Sequence, residues 1–292
     1  MSRLTFTAPD GQRLDFDTGS DRVRLRRVLG AGVPDVRHQT IRSPLQDGQQ
    51  YGGRSRFEPR FLEVEVVTSP LCSYAEAHDA RRKIISVLNP QLRSDPLDPL
   101  EPELGELRWS PDDRRDFYID AILESGVSFE GRDIADGFWR ELTLEFRCPD
   151  PAWRPKNRDQ ASFQTGAAGL SVPISVPISL AGGGGTTTVT NEGDLQTFPR
   201  ITMTGSFSAP RIFNDSLGRS VDFPGLSVST GQEFVIDMNA RTAEVDGSSV
   251  MQFRTAESEM WPLMPGDNDL RVTLTAGSGT VVVEWFRRFL GV

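Results

Sequence analysis

The sequence is poor in the side chains that most often carry chemistry. Two histidines, His38 and His78, and two cysteines, Cys72 and Cys148, stand among 292 residues. No H-E-x-x-H stretch and no Cys/His cluster at metal-ligand spacing occurs, which excludes the common zinc sites. The G-x-S-x-G elbow of a nucleophilic serine is missing. Four glycines at 182–185 lack the Lys-Ser/Thr pair of a phosphate loop and read as a hinge. Two thiols in a chain of this size need no pairing, so free, partly buried cysteines are expected. No apolar run approaches the roughly 18 residues that a membrane-crossing helix requires. The opening MSRLTFTAPDGQRLDF has neither the apolar stretch nor the cleavage site of a signal peptide, so folding in a cytoplasm without membrane insertion is expected. Lysine occurs only as Lys83 and Lys156, and the net charge is −9, which argues against a protein that grips nucleic acid through phosphates. The abundance of arginine over lysine reads as codon bias of a GC-rich genome.

What is present is mostly β-pattern. Leu4 and Phe6 alternate with Thr5 and Thr7, the PDG at 9–11 signals a turn, and Leu14 and Phe16 resume the alternation, which predicts a hairpin. RVRLRRVL at 22–29 alternates again. Residues 30–53, rich in Gly, Pro and polar side chains, read as loop, and RFLEVEVVTS at 60–69 as a strand. SYAEAHDARRKIISVLNP then changes period and places Tyr74, Ala77, Arg81, Ile84 or Ile85, and Leu88 on one helical face. Ser73 and Glu76 form a capping box at its start, and Asn89-Pro90 ends it. Residues 91–105 are acidic and proline-rich, a loop or extended segment. GELRWS, RRDFYIDAILESGVSFE and FWRELTLEFRC follow as strands, and the last runs into PDPAWRP, where prolines flank a tryptophan. Residues 154–170 show no period, and Pro173 and Pro177 argue for an edge strand or linker. From about 186 the pattern is purely β, with turn signals every 8–12 residues, which suggests a sandwich. DMNARTAEVDG and LTAGSGTVVVEW both read as tight hairpins. The boundaries expected are 1–153, a linker or edge segment 154–185, and 186–292.

Candidate sites are few. Asp112, Asp113, Asp116 and Asp120 lie close in sequence, and Asp112, Asp116 and Asp120 would share a face on a helix, but the segment after Arg115 reads as strand, so a solvated turn is set against an acid/base or cation site. PGDNDL at 265–270 lacks the glycine and glutamate of a calcium loop and reads as a turn entering a strand. Arg22, Arg24 and Arg26 would point one way on an alternating strand, and Arg54, Arg56 and Arg60 form a second basic cluster. In an acidic chain these suit contacts between subunits better than a nucleic-acid stripe, with solvated surface as the alternative. Trp153, Trp261 and Trp285 are read first as core residues, with Trp261 and Trp285 as candidate glycan contacts on a β-sandwich.

The order of these features resembles a known family. A hairpin leads to a loop with SPLQDG, then to PRFLEVEV, a capped helix ending in LNP, GELRW, and LEFRCPDPAW. This is similar to the first domain of the distal tail proteins of long-tailed, non-contractile (siphovirus) bacteriophages, which ends on a strand and an Asp-Pro-aromatic knot. Asp150, Pro151 and Trp153 fit that knot, and Ala152 stands where a second aromatic is often found. VTNEGDLQTFPRITMTGSFSAPRIFN (with Asn191, Gly193, Asp194 and Pro199), STGQEFVIDMNARTAEVDG, and MWPLMPGDNDLRVTL (with Trp261, Leu263, Pro265, Gly266 and Asn268) resemble the family's galectin-like sandwich. The resemblance implies a mainly β fold with one long helix, comprising a sandwich-like ring (belt) domain and a galectin-like β-sandwich. It implies a structural, non-enzymatic baseplate hub protein of the virion tail tip without cofactor. Such a protein forms a homo-hexameric ring that joins the tail tube protein to tail-tip and receptor-binding proteins, with DNA passing unbound through its lumen. A carbohydrate-binding sandwich for host attachment is the alternative.

Overall fold

The computed structural model of the chain describes residues 3–16, 23–41, 47, 50–53, 55–68, 73–89, 103–112, 115–125, 128–130, 141–166 and 185–292. It divides into two units, one of residues 1–156 with 289–292, the other of residues 157–288. As the alternation suggested, the protein is mainly β, with a single long helix among the described residues.

The first unit contains β1 (Arg3–Thr7), β2 (Arg13–Asp15), β3 (Val23–Leu29), β4 (Val36–Arg37), β5 (Thr40–Ile41), β6 (Gln50–Tyr51), β7 (Arg56–Phe57), β8 (Arg60–Thr68), α1 (Tyr74–Leu88), β9 (Gly105–Asp112), β10 (Arg115–Leu123), β11 (Ser128–Glu130) and β12 (Glu141–Cys148). The main sheet runs β2-β1-β9-β10-β12-β8-β3, antiparallel throughout, with β11 also on β12. The alternation in ELTLEFRC turns Leu142, Leu144, Phe146 and Cys148 inward, opposite Leu62, Val64 and Val66 of β8. Phe6 on β1 and Phe146 on β12 are three steps apart in strand order, yet their rings lie 5.4 Å apart. The sheet therefore folds over on itself in a sandwich-like manner, with β10 pairing β9 along most of its length and β12 at its end.

The helix forms as its sequence dictates. Ser73 Oγ accepts from the Glu76 N–H, and the Glu76 carboxylate accepts from the Ser73 N–H at 2.8 Å. Its buried stripe differs in detail from the expected one. Ala77, Ala80, Ile84, Val87 and Leu88 face the core, while Arg81 and Ile85 are exposed. A stripe carrying two alanines lets the helix lie close on the sheet, and the arginine turns to water.

The second unit contains β13 (Asp159–Thr165), β14 (Gly185–Asn191), β15 (Arg200–Ser208), β16 (Arg211–Asn214), β17 (Arg219–Asp222), β18 (Ser227–Val228), β19 (Glu233–Asp237), β20 (Thr242–Val245), β21 (Ser248–Ser249), β22 (Gly266–Thr273) and β23 (Ala276–Trp285). One sheet runs β13-β23-β15-β19-β20-β21, with β18 on β15, and the other β14-β22-β16-β17. Their inner faces meet over Ile201, Met203, Phe234, Ile236, Val272, Val281 and neighbours. The Phe223 and Phe234 rings pack edge-on at 5.2 Å. This is the β-sandwich expected of the second half.

Two expectations change. Residues 159–165 lie in the stretch read as without period, yet they form edge strand β13, whose full length pairs with β23 and whose Ala161 and Phe163 pack on the core. DMNARTAEVDG is indeed a hairpin between β19 and β20, with the Asp237 carboxylate accepting from the Asn239 and Ala240 N–H groups. LTAGSGTVVVEW is not one. Residues 276–285 of it form the single strand β23, while β22, just before it, belongs to the other sheet, because the chain crosses the sandwich at buried Leu274, and the Thr275 N–H donates to Ser208 O. The glycine hinge at 182–185 lies outside the described residues except for Gly185, which begins β14. Likewise Asp113 and Cys72 lie outside them, and Cys148 is buried as a free thiol.

Candidate functional site

The proline-flanked tryptophan closes the first unit. The Asp150 carboxylate accepts from the Ala152 N–H, turning the chain so that Trp153 enters the core with no exposed surface. Its ring lies 5.7 Å from that of Trp109, and the guanidinium of Arg60 sits 5.7 Å from it. Arg60, read from sequence as part of a basic surface cluster, is therefore a correction. It is 2% exposed, and all its hydrogen bonds go to backbone carbonyls, those of Pro151, Gly30, Gly32 and Leu290. Burial lowers its pKa, and among the described residues no carboxylate pairs with it.

The stretch read as loop after β3 is a ribbon. Val36 pairs with Phe57 and Arg37 with Arg56 across β4–β7, and Thr40 pairs with Tyr51 and Ile41 with Gln50 across β5–β6. The Gly52 N–H donates to Gln39 O at 2.8 Å, and His38 Nδ1 lies 2.7 Å from Ser55 Oγ with its ring edge-on to Tyr51. None of the described side chains of this ribbon joins the core cluster. Ile41 is 56% exposed, Tyr51 74%, and Val33 at its base 68%. An isolated two-stranded ribbon is marginal in water, and one that shows its apolar side chains to solvent has the composition of a contact surface.

Strand β3, at the end of the main sheet, pairs with β8 alone among the described strands, and its Leu25 N–H donates to Phe16 O at 2.6 Å. A bulge between Leu25 and Arg27 explains the adjacent arginines in RVRLRRVL. It resets the alternation so that Leu25, opposite Val66, and Val28, opposite Val64, both pack on the core, while Arg24, Arg26 and Arg27 are exposed. Arg26 pairs with Glu141 at 2.6 Å, and Arg56 lies exposed on β7 of the ribbon. Arg22 and Arg54 lie outside the described residues. Thus, of the two arginine groups, the described Arg24 and Arg26 lie on the sheet edge and Arg56 on the ribbon.

The clustered aspartates are no reactive pair. Asp116 and Asp120 share the outer face of β10. Asp116 accepts from Ser110 Oγ and from Arg108 at 2.7 Å, and Asp120 accepts from Arg154 at 2.8 Å. Burial opposes the Asp116 charge, but those hydrogen bonds outweigh it and hold its carboxyl below the ordinary value. Asp112 instead caps the turn to Arg115. In the second unit, PGDNDL is the expected turn into a strand. Asn268 is fully buried, accepts from the Met264 N–H and donates to the Met264 and Gly266 carbonyls.

Trp261 and Trp285, the candidate glycan contacts, are 0% and 6% exposed and belong to the sandwich core. Neither offers a ring face to a sugar. The alternation that put Trp285 after Val281 and Val283 is an inward alternation, so the same signal that located the strand decides against the site.

Comparisons with known proteins agree with this architecture. Residues 192–289 match the family model of the siphovirus-type tail component, C-terminal domain. No curated protein matches the chain. Among solved structures, the SPP1 Dit protein, described as a paradigm of the hub adsorption apparatus in phages infecting Gram-positive hosts, is similar with a TM-score of 0.67 at 17% identity, over 97% of this chain and 98% of that one. A chain of the phage p2 baseplate in its activated conformation with Sr gives a TM-score of 0.47 at 12% identity, over 97% and 98% respectively. The resemblance to siphovirus distal tail proteins, drawn from the order of motifs, is borne out by a second unit that matches the tail-component C-terminal domain and by a chain that has the fold of SPP1 Dit.

Proposed function

We propose that the chain is a structural distal tail (baseplate hub) protein of a virion, and that copies of it close a hexameric ring through the first unit. In this reading the ring joins the tail tube to tail-tip and receptor-binding proteins, lets DNA pass through its lumen, and catalyses nothing. The observation that supports it is the ribbon of β4–β7 and β5–β6, with Val33, Val36, Ile41 and Tyr51 exposed, together with strand β3 at the end of the main sheet. A ring needs each subunit to offer two different, complementary surfaces, because a head-to-tail contact closes only when its rotation does. The ribbon is one such surface, exposed and without a core of its own, and the β3 edge with its arginines is a candidate for the other. Among the described residues no helix is long and apolar enough to cross a membrane. Mass photometry and negative-stain microscopy of the purified chain test the reading. Particles of six times the chain mass with six-fold views are expected, and a protein that stays monomeric at all accessible concentrations overturns it.

A further inference from the structure

The first unit is built from two pieces of chain separated by the whole of the second. Residues 289–292 return to it after residue 288, and their attachment is specific. Trp153 and Phe289 exchange both backbone hydrogen bonds, each 2.9 Å, as an antiparallel bridge. The Phe289 ring meets Phe117 edge-on at 5.9 Å, and Phe289 and Val292 pack against the core cluster. Leu290 O accepts from Arg60 Nη2 at 2.6 Å.

Arg60 is the centre of this arrangement. Its Nε donates to Pro151 O at 2.8 Å, and its Nη1 donates to Gly30 O at 2.6 Å and to Gly32 O. One buried guanidinium therefore ties together three separate stretches, residues 30–32, residue 151 and residue 290. Gly30 is held for the same purpose. Its φ is +84°, and a Cβ there would fall 2.0 Å from Phe61 O, so only glycine brings its carbonyl to Arg60. A buried cation without a carboxylate depends on every dipole around it, and losing one leaves a charged donor unsatisfied.

We infer that residues 289–292 are a seal on the first unit, locked by Arg60, so that this unit completes its fold only after the chain has passed through the second and returned. The order of synthesis then matters: residues 1–156 alone hold an arginine lacking one of its acceptors and a Trp153 lacking its backbone partner. The inference does not depend on the ring.

Hydrogen exchange read by mass spectrometry or NMR on the full chain tests it with two variants. In Arg60→Met the bridge atoms are untouched, so exchange at the Trp153 and Phe289 amides reports release of the seal. It is expected to rise about tenfold or more. With residues 289–292 deleted, the reporters are the amides of the β8–β12 ladder, which contact none of the deleted atoms through hydrogen bonds. They are expected to exchange faster, while the β15–β19 ladder of the second unit keeps its protection. Arg60→Lys, which keeps the charge with fewer donors, is expected to fall between wild type and Arg60→Met. Unchanged protection of Trp153 and Phe289 in Arg60→Met overturns the lock, and an unchanged β8–β12 ladder after deletion overturns the seal. Equal acceleration in both units would mean general destabilisation and also overturns it.

Discussion

Arg60 and Cys148 sit opposite each other where β8 and β12 pair, one a buried cation and the other a buried thiol. Burial pushes the Cys148 thiol up to about 12, against the attraction of Arg60 for a thiolate. A pKa raised in the folded state gives stability that is complete below the unfolded value of 9.0 and lost as pH rises towards 12. The first unit is therefore expected to lose stability between those pH values, and Cys148→Ala to flatten that loss. Denaturation midpoints taken from pH 8 to pH 11 check this, and an equal slope in both proteins would refute it. The same burial makes Cys148 slow to alkylate in the native state, which a Cys72→Ser background isolates. The sequence reading expects a free, partly buried thiol, and Cys148 is free and wholly buried. The sequence could not place Arg60, because an arginine after Arg54 and Arg56 looks like surface, and its acceptors come from positions 30, 32, 151 and 290.

Elements were legible where local period and burial agree. α1 has a capping box and a 3.6-residue stripe, and β8, β12, β15 and β23 alternate, so each was read from its own residues. The ribbon of residues 33–57 was not, because its side chains answer to no core and show no period. The crossing at Leu274 is hidden in the sequence because the glycine-rich AGSG, which reads as a turn, is the first part of strand β23 and pairs with β15. The ribbon also makes the sharpest prediction at this scale. Ile41→Glu and Tyr51→Glu place charge on side chains that touch no core of their own chain. Each is expected to change the unfolding free energy of the monomer little, within about 0.5 kcal/mol. In the proposed ring each buries a charge at a contact and should shift the population to monomers. Analytical ultracentrifugation separates the cases. A double variant that still assembles like wild type would remove the ribbon from the interface.

At the scale of the whole molecule, the net charge of −9 acts together with how the arginines are engaged. Arg37 faces Glu58, Arg211 faces Asp222, Arg271 makes a two-bond fork with Asp215, and Arg287 reaches both Asp159 and Glu192. Their positive charge is largely spent inside the protein's own surface, and a phosphate would have to displace carboxylates to reach it. Non-specific DNA binding draws its affinity from released counterions, one for each phosphate neutralised, so arginines already held by carboxylates have little to release. A conduit for DNA needs this property, since a wall that held phosphates would slow transit. The chain is therefore expected to retain no duplex DNA in a gel-shift or anisotropy titration at about 150 mM salt, with dissociation constants weaker than the 10⁻⁴ M edge of ordinary non-specific binding. Lowering salt should strengthen binding only slightly. A steep salt dependence with micromolar affinity would show a cationic surface free enough to grip the backbone, and the picture of an unobstructed lumen would then have to be abandoned.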